Sequence, residues 1–84
     1  MIQQPIVEID VHGMRVDEAI RYIEDKIQCA GSGTYRIRVI HGYNRGNSIQ
    51  QAIYREIGYG LNRKVLRITG GSNQGITEII LKEY

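Results

Sequence analysis

The alternation of apolar and polar residues indicates four short strands and two helices. Residues 7–11 alternate strictly between apolar and acidic side chains, which is typical of a strand with one buried face. Apolar residues over 16–30 recur at steps of three and four positions and predict an amphipathic helix. The same criteria predict a second helix over 49–57 and further strands over 35–40, 65–69 and 76–81. The predicted order is β-α-β-α-β-β.

This order predicts an α/β fold, a two-layer sandwich with a four-stranded mixed sheet and both helices on one face. A crossover helix joins the first two strands, so they should run parallel with a right-handed connection. Glu8 and Asp10 on the first strand, and Arg36 and Arg38 on the second, should share the open face of the sheet. We expect a single domain over residues 1–84, with its core at about 7–83.

Composition describes a small globular domain and identifies no function. The 84 residues are 42% hydrophobic and 24% charged, and the net charge of +2 is too small to indicate nucleic acid by itself. No apolar run is long enough to cross a bilayer, and the start does not resemble a signal peptide. Cys29 is the only cysteine, which excludes an internal disulfide and a zinc site built from a cysteine cluster. We therefore expect a cytoplasmic monomer with no membrane partner.

A strand, a His-Gly pair, a loop and a helix occur twice. His12-Gly13 follows the first strand, and His41-Gly42 follows the second, 29 residues later. The carboxyl ends of parallel strands meet at one edge of a sheet, and ligands of open α/β sheets bind outside that edge. The amino termini of the following helices point to the same edge, where free N–H groups and a partial positive charge suit phosphate. The repeat therefore predicts an anion site with both histidines beside it.

The chemistry that this placement suggests is phosphodiester cleavage. Histidine titrates near neutral pH, so His12 and His41 could divide the work of general base and general acid. Asp10 precedes His12 by two residues on the same side of the strand, where it could orient the ring or hold a water or a metal ion. The catalytic candidates are Asp10, His12 and His41.

The glycine-containing loop at residues 42–46, together with Arg36 and Arg38, is the candidate for binding nucleic acid. Glycine and asparagine tolerate positive φ, so the N–H groups of this loop could surround an anion. Its arginine adds charge, and its tyrosine could stack on a base. The nucleic-acid-binding candidates are Gly13, Arg36, Arg38, Gly42, Tyr43, Asn44, Arg45 and Gly46.

Each of these features also has a simpler interpretation. A single His-Gly is commonly a strand end and a turn, and arginines on an open strand face are more often only solvated. The loop also lacks the terminal Lys-Ser/Thr of a P-loop. The prediction of a site therefore depends on the duplication of the His-Gly placement.

Three motifs, in order, resemble those of Smr (small MutS-related) domains. The run IDVHG at 9–13, followed by VDEA at 16–19, is similar to the family's Leu-Asp-Leu-His-Gly…Glu-Glu-Ala opening. The run IHGYNRG at 40–46 is similar to its His-Gly-x-Gly-x-Gly motif, with Asn44 where glycine is usual. The runs GIT at 75–77 and IIL at 79–81 resemble its closing glycine and strand. A second departure is Arg15, which stands where the first helix often has a threonine cap.

The resemblance spans roughly residues 7–83 and implies a stand-alone Smr domain, with a fold similar to the C-terminal domain of bacterial translation initiation factor three. It also implies nucleic-acid binding and, in several branches of the family, endonuclease activity. Some members nick DNA, and others cut messenger RNA at stalled, collided ribosomes. The family's motifs carry over onto Asp10, His12, His41 and Gly42.

The first hypothesis is therefore an endonuclease that cleaves DNA or RNA. The alternative is a non-catalytic module that binds nucleic acid or the ribosome. No cofactor is certain. Mg²⁺ is the candidate metal, since cleavage of DNA needs an activated water and Asp10 could help to bind the ion.

Overall fold

The six predicted elements are present in the predicted order. The structure is a computed structural model, and it describes residues 4–42, 48–58, 63–71 and 73–82. The prediction of a β-α-β-α-β-β order is confirmed. β3 begins two residues later than the predicted strand over 65–69, and Val65, which precedes it, packs against the core. The elements are β1 (Ile6–Asp10), α1 (Val16–Cys29), β2 (Arg36–Ile40), α2 (Ser48–Glu56), β3 (Arg67–Gly70) and β4 (Ile76–Ile80).

The strands form one mixed sheet in the order β1-β2-β4-β3. β1 and β2 are parallel, as predicted, whereas β4 is antiparallel to both β2 and β3. Consequently β1, β2 and β3 end at the same edge of the sheet, which we call the carboxyl edge. The turn between β3 and β4 lies at this edge as well, so three connections meet there.

Both helices pack on one face of the sheet, which confirms the predicted two-layer sandwich. Alternate strand residues point toward the helices, and each fully buried isoleucine among them contributes about 1.5–3 kcal/mol to stability. Neither helix in the described part of the chain has the length and hydrophobicity needed to span a bilayer. The core between the layers includes Ile9, Ile23, Ile27, Ile37, Val39, Ile53 and Ile79.

The open face of the sheet carries a network of charged side chains. Glu78 of β4 is only 7% exposed and accepts hydrogen bonds from Arg36 and from Nε of Arg38, the latter at 3.2 Å. Nη1 of Arg38 also lies 3.7 Å from Oε2 of Glu8. The predicted sharing of this face by Glu8, Arg36 and Arg38 is confirmed. Carboxylates on neighbouring strands therefore compensate the charge of both arginines.

Candidate nucleic-acid site

Asp10 and His12 form a hydrogen-bonded pair at the end of β1. Oδ1 of Asp10 accepts a hydrogen bond from the backbone N–H of His12 at 3.0 Å and a second from its ring Nδ1. Because a carboxylate only accepts, we assign the ring proton to Nδ1, which leaves Nε2 as the accepting nitrogen of the neutral ring. The side chains of His12 and Asp10 are 68% and 51% exposed. No residue in the described ranges engages Nε2, so the pair presents a proton acceptor at the carboxyl edge.

These hydrogen bonds hold the pKa of Asp10 below the ordinary value of an aspartate. The ring hydrogen bond from His12 is the largest cause, and the backbone N–H of His12 is the next. Hydrogen bonds to the charged form of a carboxyl group favour that form. Asp10 therefore remains ionised at neutral pH, where it fixes the tautomer and the orientation of the His12 ring.

Replacement of His12 by alanine should raise the pKa of Asp10 toward the ordinary value, since the strongest hydrogen bond to the carboxylate is lost. In the wild type the lowered pKa stabilises the fold above the unfolded-state pKa, about 3.9. That contribution is lost as the pH falls through the folded-state pKa. Carbon-13 NMR titration of the Asp10 carboxyl group measures the change, with Asp25 on α1 as the internal reference. Identical Asp10 titrations in both proteins would contradict the hydrogen bond.

His41, at the end of β2, is buried, with 7% of the residue exposed. Its Nδ1 donates to the carbonyl oxygen of Gly42 at 2.8 Å, and its Nε2 lies 2.8 Å from Oγ1 of Thr77 in β4. The period of the strand explains this burial, because His41 continues the series of Ile37 and Val39 on the side that the helices cover. His41 thus connects β2 to β4, and protein groups engage both of its ring nitrogens.

Gly42 brings the two His-Gly motifs together. A Cβ atom at Gly42 would lie 3.4 Å from Cβ of His12, so the two motifs lie side by side. The carbonyl oxygen of Gly75 accepts the N–H groups of His41 and Gly42 at 2.9 and 3.1 Å, which attaches the β3–β4 turn to the same point. Gly42 has a φ of +80°, a conformation that side-chain-bearing residues rarely adopt. Its glycine is therefore required by the backbone conformation.

The β3–β4 turn is tightly packed at Gly71 and open at Gly70. A Cβ atom at Gly71 would collide with the side chain of Ile76 and would lie 2.9 Å from its carbonyl oxygen, whereas a Cβ at Gly70 would meet nothing within 4 Å. Gly71→Ala should therefore lower the free energy of unfolding by about 1–3 kcal/mol. Gly70→Ala, the matched control, should change it by about 0.5 kcal/mol or less. Urea denaturation measures both, and equal effects would contradict this packing.

The predicted nucleic-acid-binding residues occupy different parts of the fold. Gly13 (φ +81°) and Gly42 lie at the carboxyl edge, beside the Asp10–His12 pair. Arg36 and Arg38 lie on the open face and are paired with Glu78, and their role as nucleic-acid contacts stays a prediction. Four further predicted contacts lie outside the described residues: Tyr43, Asn44, Arg45 and Gly46.

Two residues at this edge were not predicted as part of the site, Thr77 and Asn73. Thr77 is fully buried and is the partner of His41. A polar residue at a core-facing position of a strand is a signal that could have identified it. Asn73 accepts the N–H of Gly75 at 2.8 Å through its side chain and so shapes the β3–β4 turn. The turn reaches His41 through the carbonyl of Gly75, a contact that depends on strand order, which the local sequence pattern does not contain.

The donor set at the carboxyl edge does not fit a protein-built magnesium site. In the described ranges, no group of three His, Cys, Asp or Glu side chains is placed to hold a metal ion. Mg²⁺ prefers octahedral coordination by oxygen atoms, whereas Asp10 offers one carboxylate whose Oδ1 is already engaged by His12. In the described ranges the protein therefore offers Mg²⁺ at most one carboxylate at this edge, and its other ligands would come from water or from substrate phosphates.

The two-layer fold, with a His-Gly motif at the end of each of the parallel strands β1 and β2, defines a class of small α/β domains. The Smr domain family model matches residues 9–82, and the chain belongs to this family. Its fold is similar to the crystal structure of the Smr domain of Thermus thermophilus MutS2, with a TM-score of 0.79 and 22% sequence identity over 92% of this chain and 99% of that chain. No curated protein matches the chain significantly. Family membership supports a nucleic-acid-binding module.

Proposed function

We propose that this Smr domain is an endonuclease in which His12 is the general base. The observation that carries the proposal is the Asp10–His12 pair, which presents an exposed imidazole with an assigned tautomer at the carboxyl edge. Ionised Asp10 also stabilises the imidazolium that forms when Nε2 takes up a proton. A base that accepts a proton from a substrate requires such a pairing.

With RNA as the substrate, Nε2 of His12 removes the proton of a 2′-hydroxyl group. The 2′-oxygen then forms a bond to phosphorus, and the bond from phosphorus to the 5′-oxygen breaks. The leaving oxygen takes a proton from water, and the imidazolium later releases its proton to solvent, so the products are a 2′,3′-cyclic phosphate and a 5′-hydroxyl. With DNA, the same nitrogen would activate a water molecule.

His41 has a positioning role in this mechanism. Its Nδ1 donates to the carbonyl of Gly42, and Gly42 lies beside His12. The prediction that His41 shares the acid–base work stays a prediction, since its Nε2 would first have to leave Thr77. The predicted phosphate contacts in residues 43–46 remain part of the proposal on the basis of the sequence.

The test is an assay of purified protein on end-labelled single-stranded RNA and on nicked or branched DNA, with and without a chelator. We expect cleavage of RNA in the chelator, with a cyclic phosphate at the new 3′ end. Equal activity in the wild type and in an Asp10→Ala, His12→Ala double variant would refute the assignment. A 3′-hydroxyl product would refute the 2′-hydroxyl route.

The alternative is a binding module without catalysis, and the burial of His41 favours it. In the described ranges His12 is then the one histidine at this edge whose ring is open to solvent. The alternative predicts that nucleic acid binds, and that no product forms, under every condition of the same assay.

Affinity for single-stranded nucleic acid should fall steeply with salt concentration under either function. Each phosphate contact releases counterions and contributes about −0.7 to the slope of log K against log salt. Fluorescence anisotropy of a labelled oligonucleotide over a series of salt concentrations measures this slope. A slope near zero would contradict phosphate binding, and with it both functions.

A further inference from the structure

A pocket of about 500 Å³ lies at the carboxyl edge, next to the Asp10–His12 pair. It is formed by the end of β2 and the β3–β4 turn. Ile40 pairs with Asp10 across β1 and β2 and with Ile76 across β2 and β4, so the three residues form a row on the open face. Ile40 is therefore both a lining residue of the pocket and the strand neighbour of Asp10. Its lining residues are Ile40, Gly42, Asn73, Gln74, Gly75 and Ile76.

The lining of this pocket has the chemistry of a nucleobase site. Ile40 and Ile76 are half-buried and supply apolar surface, and the exposed side chains of Asn73 and Gln74 supply amide groups. None of the six lining residues carries a charge, which disfavours a phosphate group as the occupant. The flat face of a base suits the apolar surface, and its polar edge suits the amides.

The wall of the pocket is held by hydrogen bonds of the chain itself. Gly71 and Ile76 are joined by a backbone hydrogen bond of 2.9 Å, and Ile76 donates to the carbonyl of Asn73 at 3.2 Å. Oδ1 of Asn73 accepts the N–H of Gly75, so its NH₂ group remains as a donor toward a ligand. Gln74 can both donate and accept. A preformed wall reduces the ordering that a bound base would otherwise require.

We propose that this pocket holds one unpaired base of the strand whose phosphate lies at His12, an inference that rests on the proposed function. A base that is stacked and paired in a duplex cannot enter the pocket without leaving the stack, which is unfavourable. The substrate is therefore a strand that is single or locally open beside the cleaved bond.

The test compares two short single-stranded DNA oligonucleotides that have the same number of phosphates, one with all of its bases and one abasic throughout. The wild type should bind the abasic strand about tenfold more weakly, which corresponds to about 1.4 kcal/mol. In Gln74→Ala this ratio should become smaller, because an amide that contacts the base is missing. In Gln28→Ala, the matched control on α1, the ratio should equal that of the wild type.

The possible results distinguish a failure of the pocket proposal from a failure of the proposed function. Equal affinity for both strands, together with cleavage of RNA, would overturn the pocket and leave the endonuclease proposal intact. Absence of binding to either strand, and of any cleavage, would overturn both. NMR gives a second measurement, since the backbone amide signals of Gln74 and Ile76 should shift with the complete strand and remain in place with the abasic strand. Equal shifts with both strands would also overturn the pocket.

Discussion

The His12→Ala variant should lose about 10²–10⁴-fold in cleavage rate, the usual contribution of a positioned general base. Its fold should be unaffected, because the His12 side chain is 68% exposed and its side-chain hydrogen bond goes to a solvated carboxylate. The free energy of unfolding should therefore change by about 0.5 kcal/mol or less. Single-turnover cleavage of a labelled RNA and thermal unfolding followed by circular dichroism measure the two quantities.

Two further variants make this test specific. Asp10→Asn keeps an acceptor for Nδ1 of His12 but removes the charge, so its cleavage rate should lie between those of the wild type and His12→Ala. Asp25→Asn removes an exposed carboxylate on α1 and should cleave at the wild-type rate. Undiminished cleavage by His12→Ala would show that the exposed ring is not the base.

The order of the elements and the two layers could be predicted because each depends on a local pattern. Strict alternation at residues 7–11 identified β1, and the stripe of apolar residues that includes Ile23 and Ile27 identified α1. The parallel pairing of β1 and β2 followed from the helix between them. These properties are determined by residues that are close together in the sequence.

The environment of Glu78 could not be predicted, because it depends on contacts across the sheet. Glu78 is paired with Arg36 and Arg38, which lie 42 and 40 positions earlier. Only the insertion of β4 between β2 and β3 brings these side chains together. Both arginines were therefore predicted as open-face residues, but their partner was not.

The burial of His41 and the exposure of His12 could have been predicted from the sequence. Each follows a strand and precedes a glycine, which suggested equivalent roles for His12 and His41. The alternation of β2 continues through His41, which places its ring on the covered side with Val39. The alternation of β1 continues through Val11, which is buried, so the ring of His12 lies on the open side, where it pairs with Asp10. Period-two alternation, continued past the strand end, would have separated the two.

His41→Ala should lower the free energy of unfolding by about 2–4 kcal/mol, since it leaves a cavity and removes the partner of the buried Thr77 hydroxyl. The release of the Gly42 carbonyl should also loosen the backbone beside His12, so cleavage should fall in parallel with stability. Urea denaturation gives the first quantity, and cleavage assayed well below the melting temperature gives the second.

The matched variant is Thr77→Val, which keeps the shape of the side chain and removes its hydroxyl. It should lower the free energy of unfolding by about 1–3 kcal/mol, because Nε2 of His41 then lies buried without a partner. The double variant should be less destabilised than the sum of the two single variants, with a coupling of about 0.5–3 kcal/mol. A His41→Ala protein that has wild-type stability and no cleavage would contradict the positioning role. The buried histidine would then be a catalytic group, as the duplicated motif first suggested.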